Sequence, residues 1–217
     1  MVYERKLLIS DPIKLEVRRP LDSEGKVLVS VIVPLTQLEA EPKVMLAMLP
    51  RTFEIILARS GTRASSMNQA AAIATGQYFW FVHADTLLGA DSAPTLLDRL
   101  SDPSAVLRYF DVRFDGGALM RLTEFGVFIR SRLLKLPFGD QALCIPAAVF
   151  WDFGGYDERV AYGEDHLLVR QARRAGVPVL PVGATIATSA RKYRENGWFR
   201  TTLKHCQRTW FQGRFRT

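Results

Sequence analysis

The run of five large apolar residues at 78–82, YFWFV, constrains this chain more than any other stretch. It follows a turn signal, Thr75-Gly76, and stops at His83-Ala84-Asp85-Thr86. A run this short and this aromatic reads as a strand buried on both faces, the kind found inside α/β sheets. Just before it, 63–74 (RASSMNQAAAIA) reads as a helix with small, closely packing side chains, ended at Gly76. Before that, 53–57 (FEIIL) reads as another strand. Strand, helix and strand at this spacing make a βαβ unit, which calls for parallel pairing. The expected fold class is therefore α/β: a Rossmann-like, mostly parallel central sheet with helices on both faces. Ligands of such sheets bind outside the carboxyl ends of the strands. That rule makes Asp85 the candidate centre of a site.

The remaining segments fit around this unit. Ile13, Leu15 and Val17 alternate with Lys14, Glu16 and Arg18 as in a half-exposed strand, and Asp22-Ser23-Glu24-Gly25 reads as a turn. Residues 27–33 (VLVSVIV) read as a buried strand ended by Pro34, and 37–49 as a short helix. A helix is expected over 92–100 and an alternating strand over 106–114. In 119–136, Leu122, Phe125, Ile129, Leu133 and Leu136 fall on one helical stripe, with Arg121, Arg130, Arg132 and Lys135 over much of the rest. Two readings of this helix stay open: an ordinary helix with a solvated basic face, or one that faces a membrane. Residues 138–141 are a polar break before the apolar 142–149, 153–156 a turn, and Glu164-Asp165 open a helix that ends before Gly176. A last strand is expected at 177–182. The organisation is an appendage at 1–26, a core domain at 27–188 and a tail at 189–217.

With 217 residues the chain can bury one good core, and 48% hydrophobic with 24% charged residues is the balance of a soluble globular protein. No apolar run nears the roughly 18 residues of a membrane-spanning helix, and the N-terminus lacks the apolar core of a signal peptide. Cys144 and Cys206 show no metal or redox spacing, so a reducing, cytoplasmic setting is expected. The net charge of +7 is local: residues 189–217 hold eight basic residues against one acid, Glu195, while the rest of the chain is balanced. This argues against a protein that coats nucleic acid, so no nucleic-acid partner is expected. It favours a local anionic contact such as a membrane surface, with the protein peripheral on its inner face. Trp198, Phe199, Trp210 and Phe211 in the tail suit either such an interface or a core.

Several landmarks recur in a fixed order: SVIVP (30–34), RASSMN (63–68), ATG (74–76), FVHADT (81–86), FDVRFDG (110–116), RSRLLKLPFGDQALC (130–144), FGGYDE (153–158), GEDHLLVRQARRAG (163–176) and TSARKYRENGWFRTTL (188–203). Together the series resembles the family 2 glycosyltransferases of the GT-A fold, and within them a bacterial subgroup with HADT, GDQ and ED motifs, over about residues 27–210. The resemblance implies a GT-A-like domain that moves a sugar from a nucleotide-sugar donor to a hydroxyl acceptor on a lipid or saccharide, with inversion and with Mn²⁺ or Mg²⁺. There are two departures. The family continues its first strand with Pro-x-x-Asn-Glu, whereas this chain has Pro34-Leu35-Thr36-Gln37-Leu38. The family ends its next strand with an Asp that recognises the base, followed by a helix and a further strand. Here 53–57 runs into Ala58-Arg59-Ser60-Gly61-Thr62-Arg63, with no acid and without that βα segment.

Glycosyl transfer needs a cation for the departing diphosphate, a base for the attacking hydroxyl, and groups that hold both substrates in line. Asp85 is the candidate metal ligand, because a hard divalent ion takes carboxylate oxygens. His83, two residues earlier, points the same way on a strand and stands first in the family's acidic pair; imidazole suits Mn²⁺. The plain alternatives are that Asp85 caps the next turn and His83 is a satisfied core histidine. Asp165, at a helix start whose dipole favours its ionised form, is the candidate base; its plain alternative is N-capping. Pro34 and Arg191 are donor-side candidates by the resemblance. Arg63 and Asn68 join them, since the helix they begin can turn its N–H groups to a phosphate. Asp140 and Gln141 are placed near the acceptor by the resemblance. A competing reading of the whole chain is a degenerate homologue that binds a partner or membrane without catalysing. A nucleotidyltransferase fits less well, for want of a Gly- and Arg-rich signature before the first helix.

Overall fold

The computed structural model describes residues 3–10, 13–20, 27–59, 61–102, 104–116, 118–160 and 162–188. The elements in chain order are β1 (Tyr3–Ser10), β2 (Ile13–Pro20), β3 (Val29–Leu35), α1 (Lys43–Ala47), β4 (Glu54–Arg59), α2 (Arg63–Ile73), β5 (Tyr78–Phe81), β6 (Thr86–Leu87), α3 (Ser92–Leu100), β7 (Leu107–Phe114), α4 (Ala118–Arg132), a 3-10 turn (Gly139–Gln141), β8 (Cys144–Pro146), α5 (Ala147–Asp152), α6 (Glu164–Arg174) and β9 (Val179–Thr188). The strands form one sheet in the order β1-β2-β4-β3-β5-β8-β7-β9-β6. β3 pairs in parallel with both β4 and β5, so the expected βαβ unit is at the centre. Only four residues, 82–85, carry the chain from central β5 to edge strand β6, so the sheet curls.

β5 alternates as a doubly buried strand must. Tyr78, Trp80 and Val82 point into one core with α1, α3 and Val127 of α4; Phe79 and Phe81 point into the other with α2, α5 and α6. The Trp80 ring stacks on Phe110 at 5.3 Å, and its Nε1–H donates to the Ala142 carbonyl at 3.1 Å. Layers of helix on both faces bear out the GT-A-like α/β class. The sheet, however, is mixed rather than mostly parallel: β3–β4, β3–β5 and β7–β9 are parallel, and the other five pairings are antiparallel.

Several boundaries differ from the expectation. β3 does not stop at Pro34 but runs on to Leu35. The Ile32 carbonyl accepts the Val82 N–H at 3.0 Å, so that side of β3 faces β5. Pro34, two residues on, turns its missing N–H to the same side after β5 has ended at Phe81, and no ladder bond is lost. The helix expected at 37–49 is only Lys43–Ala47, fenced by Pro42 and Pro50. The helix expected at 119–136 ends at Arg132, because Lys135 adopts a left-handed φ of 52°. β9 runs on to Thr188 rather than ending at 182, through Gly183 at φ 95°, where its register against β7 shifts.

The 1–26 segment is built into the sheet as far as it is described. β2 pairs antiparallel with β4, and Leu15 and Val17 enter the α2-side core. It occupies the edge beside β4, where the resemblance implies a further parallel strand. At the amino ends of the parallel strands Glu54 is fully buried. Its carboxylate accepts from Arg19 Nε (2.6 Å), Ser30 Oγ (2.5 Å), Thr75 N–H (2.7 Å) and Thr75 Oγ1 (3.1 Å). This joins β2, β3 and the α2–β5 link through one residue. The turn expected at 22–25 and the tail at 189–217 lie outside the described residues.

Candidate functional site

β3, β4 and β5 run in parallel, and β7 and β9 run in parallel with each other. β8 is antiparallel to β5 and β7; its start, Cys144, lies opposite Trp80 near the carboxyl end of β5 and opposite Arg108 near the amino end of β7. The candidate residues gather at the carboxyl ends of β3, β4 and β5. Pro34 lies near the end of β3, and Arg63 starts α2 four residues after β4 ends at Arg59. Asp85 follows β5, and Gly139–Gln141 lead into β8. The Phe81 N–H donates to the Leu143 carbonyl at 2.9 Å, which fixes the 139–143 segment beside the end of β5.

The α6 start is the best defined part. Its N-cap is Gly163, at φ 83°, so Asp165 sits in the first turn and is not the cap. Asp165 Oδ1 accepts the His166 N–H at 2.8 Å, and Oδ2 accepts a very short bond from the Gly139 N–H. The Arg63 guanidinium reaches Asp165 Oδ2 at 3.5 Å and Glu164 Oε1 at 2.8 Å. Burial pushes the Glu164 carboxyl above its ordinary range; Arg63 pulls it back and the Asp165 charge raises it. Glu164 and Gly139 belong to the ED and GDQ landmarks, but the sequence does not show their contacts, which link positions 26 and more than 100 residues apart.

Gln141 anchors the other end of the 3-10 turn. It is fully buried; Nε2 donates to the Phe110 carbonyl (3.0 Å), and Oε1 accepts from Arg130 Nη2 (3.1 Å) and the Phe138 N–H (3.3 Å). Arg130 in turn lies over the Phe138 ring at 3.3 Å, and the His166 ring tilts against Phe138 at 4.4 Å. Burial pushes the His166 imidazole down to about 4. Gln141 also lines a cavity of about 340 Å³ between β7, β9 and α4, together with Asp111, Arg113, Arg121, Phe125 and Phe128. Asp140, between Gly139 and Gln141, is half-buried.

On the metal side, Asp85 is exposed, and among the described residues its carboxylate makes no hydrogen bond or ion pair. It therefore caps nothing. The reason given for pairing it with His83 needs correcting: β5 ends at Phe81, and 83–86 is a turn closed by the Thr86 N–H to the His83 carbonyl (3.1 Å). The side-by-side projection of an extended strand does not apply there. His83 is half-buried.

Asn68 is committed elsewhere. Its Oδ1 accepts the Tyr156 N–H (2.9 Å), and its Nδ2 donates to the Tyr156 carbonyl (2.9 Å) and Glu158 Oε1 (2.8 Å). It clamps the 156–158 turn, beside a cavity of about 590 Å³ lined by α6 and 153–159 that includes none of Arg63, Asp85 or Asp165. Arg59 occupies the end of β4, where the family's base-recognising acid is missing. Its Nη1 donates to the carbonyls of Glu39 (2.6 Å) and Thr36 (3.4 Å), latching the loop after β3. Arg191 lies outside the described residues.

The family model described as Glycosyl transferase family 2 matches residues 44–154, half of the chain, from α1 through the 3-10 turn to the end of α5. The chain belongs to glycosyl transferase family 2. Among solved structures, the family 2 domain here is similar to TarS of S. aureus, with 15% identity over 75% of this chain and a TM-score of 0.58. A TarS 1–349 structure in complex with UDP-GlcNAc is 17% identical, with a TM-score of 0.55, and one in complex with UDP is 16% identical at 0.54. At these identities the likeness is one of fold. The chain covers 37% to 60% of the length of those TarS chains. No curated protein sequence matches this family 2 chain.

Proposed function

We propose that this family 2 domain is an inverting hexosyltransferase that moves a sugar from a nucleotide-sugar donor to a hydroxyl of a lipid or saccharide acceptor. One observation carries the reading. Asp165 is held by the Gly139 N–H and Arg63 at the same sheet edge as Asp85, a carboxylate engaged by no described residue. The shared fold with TarS chains solved with UDP and UDP-GlcNAc supports a nucleotide-sugar donor.

In this reading Asp165 is the base. The Gly139 N–H, the His166 N–H and Arg63 fix its orientation, and its proton-accepting oxygen faces the acceptor hydroxyl as the new bond forms. Arg63 acts as a positioning residue between Glu164 and Asp165, close to the α2 N-terminus that would meet the donor diphosphate. Asp140 and Gln141 belong to the acceptor side, Gln141 by shaping the cavity under α4. Pro34 closes the donor side at the end of β3. Arg191, outside the described residues, is assigned to the donor diphosphate on the family resemblance alone.

Among the described residues no three His, Cys, Asp or Glu side chains come together. Asp85 with His83 offers too few donors for a resident ion; Asp85 would serve a Mn²⁺ or Mg²⁺ that arrives with diphosphate oxygens, with His83 two residues away in the same turn. Bound there, the ion would offset the charge on the departing diphosphate. A cytoplasmic setting agrees with the free, buried Cys144.

The test is transfer or donor hydrolysis by wild type, Asp85→Ala and Asp165→Asn, with Mn²⁺, across common nucleotide sugars. Activity in wild type that both variants lose is expected; equal rates in all three would remove the enzymatic reading. Arg59 at the place of the base-recognising acid favours one competitor, a binding homologue without catalysis. Saturable nucleotide binding that depends on metal would exclude it.

A further inference from the structure

α4 is apolar on two opposite faces. One carries Met120, Val127 and Ser131, which are buried; the Ser131 carbonyl accepts the Tyr109 hydroxyl of β7 at 3.1 Å. At 100° per residue, Leu122, Phe125, Ile129 and Leu133 centre on the opposite side. This is the stripe read from the sequence, and it faces outward: Leu122 is 60% exposed, Phe125 63% and Leu133 69%. Phe128 and Leu134, at 48% and 54%, widen the patch. Of the stripe only Leu136, past the helix end, packs against a core. The stripe is therefore not the face by which α4 packs on its own core. A contiguous apolar patch of this kind on a helix already seated on its own core marks a contact with a second apolar medium.

Cations border the patch. Exposed Arg121 lies along one side with Arg132, which is paired to Asp111 at 2.5 Å; Arg130, held by Gln141 and the Phe138 ring, lies along the other, and exposed Lys135 follows the helix. The 118–137 segment holds four basic residues and one acid, Glu124, whose carboxylate is turned to the Phe114 N–H at 2.8 Å. The charged tail starts at the same place. Thr188 pairs with Phe114, and the Asp115 N–H donates to the Thr188 carbonyl at 3.3 Å, three residues before α4 begins. The sequence that follows Thr188 carries eight basic residues against one acid.

We propose that this face of α4 seats the protein on an anionic lipid bilayer. Its Leu and Phe side chains enter the interfacial layer, and the exposed Arg121 and Lys135 meet the headgroups. Charge decides among occupants. The tail folded over α4, or a second copy facing it, would bring like charges together, whereas an anionic surface neutralises both. No described helix is long and apolar enough to cross a membrane, so the contact lies on the bilayer. The patch adjoins the proposed acceptor side, since Phe125 and Phe128 also line the cavity that Gln141 shapes, whereas Leu133 and Leu134 do not; vesicle binding is read separately from transfer.

The experiment is co-sedimentation of the full chain with vesicles of phosphatidylcholine and of phosphatidylcholine mixed with phosphatidylglycerol. Binding to the mixed vesicles, weakening as salt rises, is expected. Phe125→Ser, Leu133→Ser and Leu134→Ser should each lower it roughly tenfold, with the circular dichroism and thermal midpoint of wild type. Three exposed positions are used so that a folding defect at one leaves the others to read. Binding that none of them lowers would assign it to the tail and overturn the proposal. So would absence of binding, whether the chain is monomeric or forms a dimer that Phe125→Ser dissociates.

Discussion

Gly139 has no room for a side chain. A Cβ there would lie 2.5 Å from both Arg63 Nη2 and Asp165 Oδ2, between the two groups that the proposed chemistry needs together. Gly139→Ala should therefore lower kcat by on the order of a hundredfold, with the thermal midpoint shifted by only a few degrees, because misplacement of a base is costly out of proportion to its energy. A wild-type rate in steady-state kinetics would show that Asp165 is not held there for catalysis. His166 gives a separate handle. Its folded pKa of about 4 lies below the ordinary value of 6.5, so the unfolded chain binds the proton more readily. Its contribution to stability is complete above about pH 6.5 and is lost as the pH falls towards 4. Urea unfolding at neutral pH and near pH 5 should show a smaller acid loss in His166→Phe than in wild type; equal losses would place the titration elsewhere. Asp165 and Asp85 were legible in sequence as acids at a helix start and a strand end. Gly139 and Glu164 were legible only as parts of the GDQ and ED landmarks; the fold alone brings them to Arg63.

Glu54 joins more elements than any site residue. Glu54→Ala would strand the Arg19 guanidinium, Ser30 and the Thr75 N–H, and should destabilise the fold by about 3–5 kcal/mol, read as a fall in the urea midpoint. Gly76→Ala, with its Cβ 2.5 Å from the Ser30 amide nitrogen, should weaken the same junction. A midpoint within error of wild type for both would mean that β2 is held by its ladder alone. The βαβ unit was readable because period and length agree: YFWFV is too short and too apolar for anything but an interior strand, and α2 is bounded as expected. Pro34 misled because a strand tolerates proline on a side whose neighbour has ended. Gly183 hid the second half of β9. Periodicity placed the α4 stripe but could not say which way it faces, since both faces are apolar.

At the scale of the molecule, the fold sends α2, the β5 end, the 139–141 turn and α6 to one edge of the sheet, and the N-terminal hairpin fills the edge left by the shortened donor region. The central claim is that Asp85 and Asp165 serve one donor site with divided roles: Asp85 for the diphosphate and its ion, Asp165 for the acceptor proton. The most direct measurement is calorimetric titration of wild type, Asp85→Ala and Asp165→Asn with UDP, GDP and TDP sugars, with and without Mn²⁺. Wild type and Asp165→Asn should bind one of these nucleotides equally and in a metal-dependent manner, while Asp85→Ala binds it at least about tenfold more weakly, a loss of roughly 1.4 kcal/mol or more, and without regard to metal. No saturable binding by wild type, or binding by Asp85→Ala that matches it, would contradict the account.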